Sequence, residues 1–262
     1  MSRDRAESVA LVTGAARGIG LAVSCAFARE GLRVAALDRD EAALAKSVAA
    51  LRDAGHDIIG FPLELTDSKA VEATVATVEA TLGPITKLAS VAGILRVGPV
   101  CEFSDRDWTD TFASNVSAAF YVCRSVARWM MSRKAGSIVA VGSNAAAVAR
   151  VNMAAYAASK AALRSFVHCL GLELSAFGIR CNVVSPGSTD TDMQRAYRLD
   201  GHIAPEIITA GNAGSYRVGI PLGRMATADD VADAVSFLCS DRARHITLHD
   251  LRVDGGATLG AG

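Results

Sequence analysis

The sequence predicts an α/β protein: one doubly wound, seven-stranded parallel sheet with helices on both faces. Three observations predict it. Short, continuously apolar runs alternate with longer amphipathic ones from end to end. The short runs carry no polar alternation, as expected of strands buried on both faces. A glycine-rich turn joins the first strand-like run to the first helix-like one. Right-handed crossovers between such units favour double winding.

In chain order the strands are expected at Val9–Thr13, Arg33–Asp38, Asp57–Leu63, Lys87–Ser90, Ser137–Ser143, Ile179–Ser185 and Thr247–Val253. Helical periodicity falls at Ile19–Glu30, Glu41–Ala54, Ser68–Leu82, Asp105–Ser132, Ala154–Phe177 and Ala228–Cys239. No Pro- or Ser-rich linker, repeat or low-complexity tract divides residues 1–262, so a single domain is expected. The stretch Asp190–Arg217 breaks the rhythm. It is polar, contains Gly201, Gly211 and Gly214, and follows Pro186-Gly187 at the end of a strand, where an insertion serves as a substrate lid.

Of the 262 residues, 51% are hydrophobic and 21% charged, enough apolar material for a large core and unlike a disordered chain. The formal net charge is zero, so no global field draws the protein to nucleic acid or an anionic membrane. No apolar stretch is long enough to span a bilayer. Val9–Ala16 after Arg3 and Arg5 imitates a signal peptide, but it runs straight into the glycine turn and reads better as a buried strand. Cys25, Cys101, Cys123, Cys169, Cys181 and Cys239 are scattered, with no C-x-x-C pair. They read as neutral thiols in a reducing cytoplasm. No metal is expected.

Thr13-Gly14-Ala15-Ala16-Arg17-Gly18-Ile19-Gly20 joins the first strand to the first helix. Its glycines let a pyrophosphate approach backbone N–H groups at the positive end of a helix, the mark of a dinucleotide site. Asp38 ends the second strand. A carboxylate there accepts hydrogen bonds from both ribose hydroxyls and repels a 2′-phosphate, which favours NAD over NADP. Arg39 and Arg17 argue the other way, since either could reach a phosphate, and Asp38 could instead cap the helix beginning near Glu41.

Tyr156-Ala-Ala-Ser-Lys160 puts a phenol and an amine on one face of a helix. A phenol of free pKa about 10 is a poor base at neutral pH, and a nearby ammonium stabilises its anion. Ser143, at the carboxyl edge of the sheet, is in position to hold a substrate oxygen against Tyr156. Arg150 lies in the loop between them and could grip a carboxylate; Gln194, on the lid, is a second polar candidate.

The T-G-x-x-x-G-I-G of Thr13–Gly20, Ala92-Gly93, Asn115, Ser143, Tyr156-x-x-x-Lys160 and Pro186-Gly187 together resemble the short-chain dehydrogenase/reductase family over nearly the whole chain. The resemblance implies a Rossmann-like domain and a catalytic tetrad of Asn115, Ser143, Tyr156 and Lys160. Lys160 would also hold the nicotinamide ribose, and Asn115 a water that relays protons. Implied cofactor contacts are Gly14, Arg17, Gly18, Ile19, Gly20, Asp38, Leu65, Ala92, Gly93, Tyr156, Lys160, Pro186, Gly187, Thr189 and Thr191. A homotetramer is implied too, its interface built from the helices near Asp105–Ser132 and Ala154–Phe177. Two positions depart from the family pattern: Ser90-Val91 stands where Asn-Asn is usual, and Glu64 where an aspartate is common.

Within the family, Val91–Arg96, Gly171–Leu174, Arg180–Gln194, Gly219–Gly223, His245–His249 and Val253–Gly256 are similar to the 2,3-dihydro-2,3-dihydroxybenzoate dehydrogenases. That likeness implies oxidation of a ring hydroxyl followed by aromatisation to 2,3-dihydroxybenzoate, a step of siderophore-type biosynthesis. Three alternatives stay open at this level. One is the related oxidation of 2,3-dihydro-3-hydroxyanthranilate to 3-hydroxyanthranilate; another is an ordinary ketoreductase, which a preference for NADPH would mark. The third is a silent NAD-binding regulator, against which the intact Ser143, Tyr156 and Lys160 argue.

Overall fold

The computed structural model describes residues 8–199 and 205–259; Arg3, Arg5 and Gly201 lie outside them. In chain order the elements are β1 (Val9–Thr13), α1 (Gly18–Arg29), β2 (Arg33–Asp38), α2 (Glu41–Asp53), β3 (Ile58–Pro62), α3 (Ser68–Thr81) and β4 (Ile85–Ser90). They continue with α4 (Asp105–Phe112), α5 (Ala118–Arg133), β5 (Gly136–Val141), α6 (Ala154–Leu174), β6 (Ile179–Pro186), α7 (Asp192–Leu199), α8 (Pro205–Ala210), α9 (Ala228–Cys239) and β7 (Asp250–Val253). The seven strands form one sheet in the order β3-β2-β1-β4-β5-β6-β7, every neighbour parallel. This is the doubly wound sheet expected.

Strand pleating divides the core in two. Val9 and Leu11 of β1 face α3, α5 and α6, against Val75, Val122 and Val167, while Ala10 and Val12 face α1, α2 and α9, against Phe27, Leu44 and Val235. Both faces of β1 are fully buried, which is why its sequence is apolar without alternation. All six cysteines are unpaired. No helix among the described residues is long and apolar enough to cross a membrane.

Three elements differ from the expectation. The helix expected over Asp105–Ser132 is interrupted by a π-helical turn at Ala113–Ser117 between α4 and α5. An inserted residue of this kind leaves composition and apolar spacing nearly unchanged, so periodicity does not register it. The last strand starts at Asp250 rather than Thr247, because Leu248 takes a left-handed φ of 60° and the Thr247 hydroxyl accepts the Cys181 N–H at 3.1 Å. The stretch 190–217 is not a bare loop: it carries α7, α8 and a 3-10 turn at Ala213–Ser215, elements of eight residues or fewer, too short for a helical period to be read from sequence.

Candidate active site

The chain leaves β1 toward β2 on one side, while β4 lies on the other. The connections diverge at that point and open a crevice at the carboxyl ends of the strands. A cavity of about 730 Å³ fills it, running from Asp38 past Gly14 to Ser143, Tyr156 and Arg150. A side pocket of about 120 Å³, lined by Leu63, Leu65 and Ala118, opens beside Asp38.

Two glycines shape the crevice. A Cβ on Gly20 would collide with the Gly14 carbonyl, and one on Gly14, whose φ is +68°, would stand 2.9 Å from Ala92 Cα. The Thr13 hydroxyl crosses to β4 and accepts the N–H groups of Val91 (3.0 Å) and Ala92 (3.2 Å), so the Ser90-Val91 variation is bridged by backbone bonds. Helices α2, α3, α4 and α9 are each capped by a side chain, from Asp40, Asp67, Ser104 and Thr227. The start of α1 has no such cap. Its N–H groups and dipole face the cavity where a pyrophosphate would sit.

Asp38 is not the cap of α2; Asp40 is. Asp38 accepts the N–H groups of Ala16 and Asp40, each at 3.0 Å, and so is fixed at the cavity wall. The two arginines that argued for a 2′-phosphate are occupied: Arg17 pairs with Asp40, and Arg39 lies 3.7 Å from Glu64. Glu64 also accepts the Thr66 hydroxyl and N–H, which accounts locally for its departure from the family pattern. Gly18, Ile19, Gly93, Pro186, Gly187, Thr189 and Thr191 line the main cavity as well. The uncapped helix, the glycine cradle and a carboxylate at the end of β2 fit a dinucleotide.

At the other end, Ser143 stands two residues beyond β5 in extended conformation and accepts the Ala145 N–H at 3.1 Å. Tyr156, which α6 carries into the same cavity, is buried. Burial pushes its phenol above the usual range, and the nearby Ser143 hydroxyl pulls it back. One turn further along α6, Lys160 is buried, donates to the Val141 carbonyl at 2.9 Å, and is pushed down to about 8 by burial. Its Nζ lies 5.8 Å from the Tyr156 ring centre. Asn115 sits in the π turn, fully buried. It accepts the Ile94 N–H at 2.8 Å and donates to the Ile94 carbonyl and the Ser159 hydroxyl, each at 3.0 Å. Both amide hydrogens are thereby used, and one of the two lone pairs of Oδ1. A Cβ on Gly93 would meet Asn115 Oδ1 at 2.9 Å and Lys160 Nζ at 3.3 Å, so Ala92-Gly93 has to be small.

Arg150 and Gln194 line the same cavity. Burial first, then the charge of Arg217, lower Arg150 from its ordinary value, and Asp254 opposes them. Sequence reasoning missed Met153, Arg217 and Asn144, which line the cavity too. No spacing marks Arg217, which the segment after α8 brings back from far along the chain. Asn144 was legible only as a neighbour of Ser143; it donates to Asp254 at 3.2 Å and ties this loop to the end of β7. Among the described residues no group of three or more His, Cys, Asp or Glu side chains is arranged to hold a metal ion.

Residues 8–201 match the sequence family described as short chain dehydrogenase. The chain is 49% identical over 252 residues to a 2,3-dihydro-2,3-dihydroxybenzoate dehydrogenase of Bacillus subtilis (strain 168), covering 96% of each chain. It is 40% identical to the protein of that name in Escherichia coli (strain K12), covering 95% of this chain and 96% of that one. The solved structure of gox2181 superposes with a TM-score of 0.89 at 34% identity, over 97% of this chain and 96% of that one. The chain belongs to the short-chain dehydrogenase family. It is an oxidoreductase that uses a nicotinamide cofactor and a small-molecule substrate.

A buried ammonium at the centre of the site has a cost that pH can read. Below pH 8 the folded protein holds Lys160 charged in the interior, whereas the unfolded chain holds it in water. Between about 8 and the ordinary 10.5 the unfolded state binds more protons, so the Lys160 contribution becomes more favourable as pH rises. Lys160→Met should therefore raise unfolding stability at pH 7 by about 2 kcal/mol, after loss of the Val141 hydrogen bond. That advantage should shrink from pH 8 to pH 10 in urea titrations. A variant less stable than the parent at pH 7 would contradict the assignment.

Proposed function

We propose that the protein oxidises a ring hydroxyl of 2,3-dihydro-2,3-dihydroxybenzoate with NAD, giving 2,3-dihydroxybenzoate for siderophore-type biosynthesis. The observation that carries this reading is a meeting of groups in one cavity. The Ser143–Tyr156 hydroxyl pair shares it with Arg150, a partly buried guanidinium with no carboxylate of the described residues in ion-pair range. A site for a plain alcohol has no use for that cation; a ring carboxylic acid does. The two dehydrogenases named for this substrate, at 49% and 40% identity, support the same reading.

In this reading Tyr156 takes the hydroxyl proton, Ser143 holds the substrate oxygen, and Arg150 orients the ring through its carboxylate, with Gln194 as a further polar contact. Lys160 lowers the cost of the phenolate and holds the nicotinamide ribose. Asn115 holds the relay water. The cofactor supplies hydride acceptance from the carbinol carbon. Loss of a ring proton then converts the product ketone to the aromatic catechol, which pulls the oxidation forward. Gly14, Arg17, Gly18, Ile19 and Gly20 hold the pyrophosphate, and Asp38 the adenosine ribose. Leu65, Ala92 and Gly93 bound the adenine side, and Pro186, Gly187, Thr189 and Thr191 the nicotinamide side.

The protein works as a single domain in a cytoplasmic homotetramer. Support for an assembly comes from exposed aromatic side chains on α4 and α5: Trp108, Phe120 and Trp129 are each more than a third exposed, and Phe120 meets Phe166 of α6 edge-on.

Purified protein with NAD and 2,3-dihydro-2,3-dihydroxybenzoate should produce NADH absorbance and 2,3-dihydroxybenzoate. Turnover of the 3-hydroxyanthranilate precursor at equal efficiency, or none with the dihydroxy acid, would overturn the substrate assignment. Tyr156→Phe keeps the ring and removes the ionisable oxygen, so kcat should fall at least about 100-fold while NAD still binds. Asp38→Ala should raise the KM for NAD about tenfold and narrow the gap to NADP, because both ribose bonds and the repulsion are removed. An unmodified enzyme that prefers NADP would refute the cofactor assignment.

A further inference from the structure

Five arginines line the main cavity: Arg17, Arg39, Arg96, Arg150 and Arg217. Three are neutralised by the protein itself. Arg17 pairs with Asp40, Arg39 lies 3.7 Å from Glu64, and Arg96 lies 3.5 Å from Asp107. Arg150 and Arg217 have no carboxylate of the described residues within ion-pair distance. The nearby acid, Asp254, is committed elsewhere, accepting from Asn144 at 3.2 Å, Thr258 at 2.7 Å and the Gly256 N–H at 3.0 Å.

The two unpaired cations are held on the same side of the cavity by one residue. Met153, immediately before α6, donates its N–H to the Arg150 carbonyl at 3.3 Å, and its sulfur lies 3.7 Å from Arg217 Nη2. Three residues further on, α6 presents Tyr156. A thioether is a weak acceptor, and it is the one hydrogen-bond partner of the Arg217 guanidinium among the described residues.

The backbone that delivers Arg217 is tightly built. Asn212 and Arg217 exchange N–H···O bonds of 2.8 and 2.9 Å. A Cβ on Gly211, at a φ of +87°, would stand 2.6 Å from the Arg217 carbonyl. The Ile220 N–H closes the loop on Thr209 at 2.9 Å. None of these bonds uses the side chain of residue 217. The fold fixes where the guanidinium projects and leaves its donors for something else.

We propose that Arg217 is the second half of a carboxylate-binding site whose first half is Arg150, so that the segment after α8 reads the acid group of the substrate. The proposal rests on the reading of the substrate as a ring carboxylic acid. Two guanidiniums sharing a partly buried cavity repel each other, and a planar anion between them reverses the sign of that interaction. Arg150 is lowered from its ordinary value first by burial and then by the charge of Arg217, with Asp254 opposing both. A carboxylate offers in-plane lone pairs on both oxygens, enough for a forked bond to each cation. Holding it from two sides fixes the rotation of the ring and selects which hydroxyl faces Tyr156. A substrate without the acid leaves the repulsion in place, so the pair discriminates by charge as well as by fit.

The test uses the full chain saturated with NAD, with Arg217→Met and Arg217→Lys. Kinetics compare 2,3-dihydro-2,3-dihydroxybenzoate with the cyclohexadiene diol that lacks its carboxylate. Titration calorimetry compares 2,3-dihydroxybenzoate with catechol as probes. Arg217→Met should lower the ratio of kcat/KM, acid over diol, at least about tenfold, chiefly through KM. It should weaken 2,3-dihydroxybenzoate relative to catechol by a similar factor, and Arg217→Lys should recover part of both losses. An unchanged ratio, an equal loss on acid and diol, or a loss of NAD affinity in place of acid affinity would overturn the proposal. The probes separate the two readings. If the unmodified protein turns over neither substrate but binds 2,3-dihydroxybenzoate in an Arg217-dependent way, the carboxylate site stands and the reaction falls. If it turns over the acid and Arg217→Met leaves the ratio intact, the reaction stands and the carboxylate site falls.

Discussion

Where β1 ends, the chain has to turn back into α1 while the end of β4 lies alongside, and the space between admits backbone only. A side chain on Gly20 would strike the Gly14 carbonyl, and one on Gly14 would strike Ala92. The Thr13 hydroxyl holds the two sides together through the Val91 and Ala92 N–H groups. The first turn of α1 is left uncapped at the open end of this seam. Strand order reverses at the same place, so the crevice, the positive helix end and the β2 carboxylate meet there without further machinery. Every residue of the nucleotide end is positioned relative to that contact.

Electrostatics divides the cavity into two halves with different rules. Around Asp38, the protein sets its own arginines beside acids, Arg17 against Asp40 and Arg39 near Glu64, and holds the Asp38 carboxylate with two backbone N–H groups. Around Tyr156 the opposite holds: among the described residues Lys160 is buried without a carboxylate in ion-pair range, and Arg150 and Arg217 have none either. Buried cations without counter-ions are costly in a folded protein. Their concentration beside the phenol gives that end a standing preference for anions, whether a phenolate formed there or an acid group brought by a ligand.

The π turn between α4 and α5 links these halves to the helical layer. It turns Asn115 into the interior, where its amide binds the Ile94 backbone on one side and Ser159 of α6 on the other. Strand β4, helix α6 and the π turn are thereby locked to one another, with Gly93 small enough to let Asn115 and Lys160 close over it. A regular helix would have rotated this side chain away from the contact. The interruption is what lets one asparagine clamp the loop after β4 to α6.

The order of strands and helices was determined by sequence alone, because continuous apolar runs and 3.6-residue stripes are local consequences of burial on two faces or one. The same is true of the glycine turn, Asp38, Ser143, Tyr156 and Lys160, whose chemistry is tied to fixed offsets or to the ends of recognisable elements. Tertiary structure decided what sequence leaves open at a distance. Asp40 rather than Asp38 caps α2, and Arg17 and Arg39 are spent on Asp40 and Glu64; charge pairing depends on geometry that no spacing encodes. The π turn was invisible because an added residue barely alters apolar periodicity, and α7 and α8 because helices of eight and six residues are too short to establish a period. Arg217 is the clearest case. Sixty-seven positions separate it from Arg150 in the chain, and it comes to the same cavity only because a glycine-tightened loop folds back onto Met153.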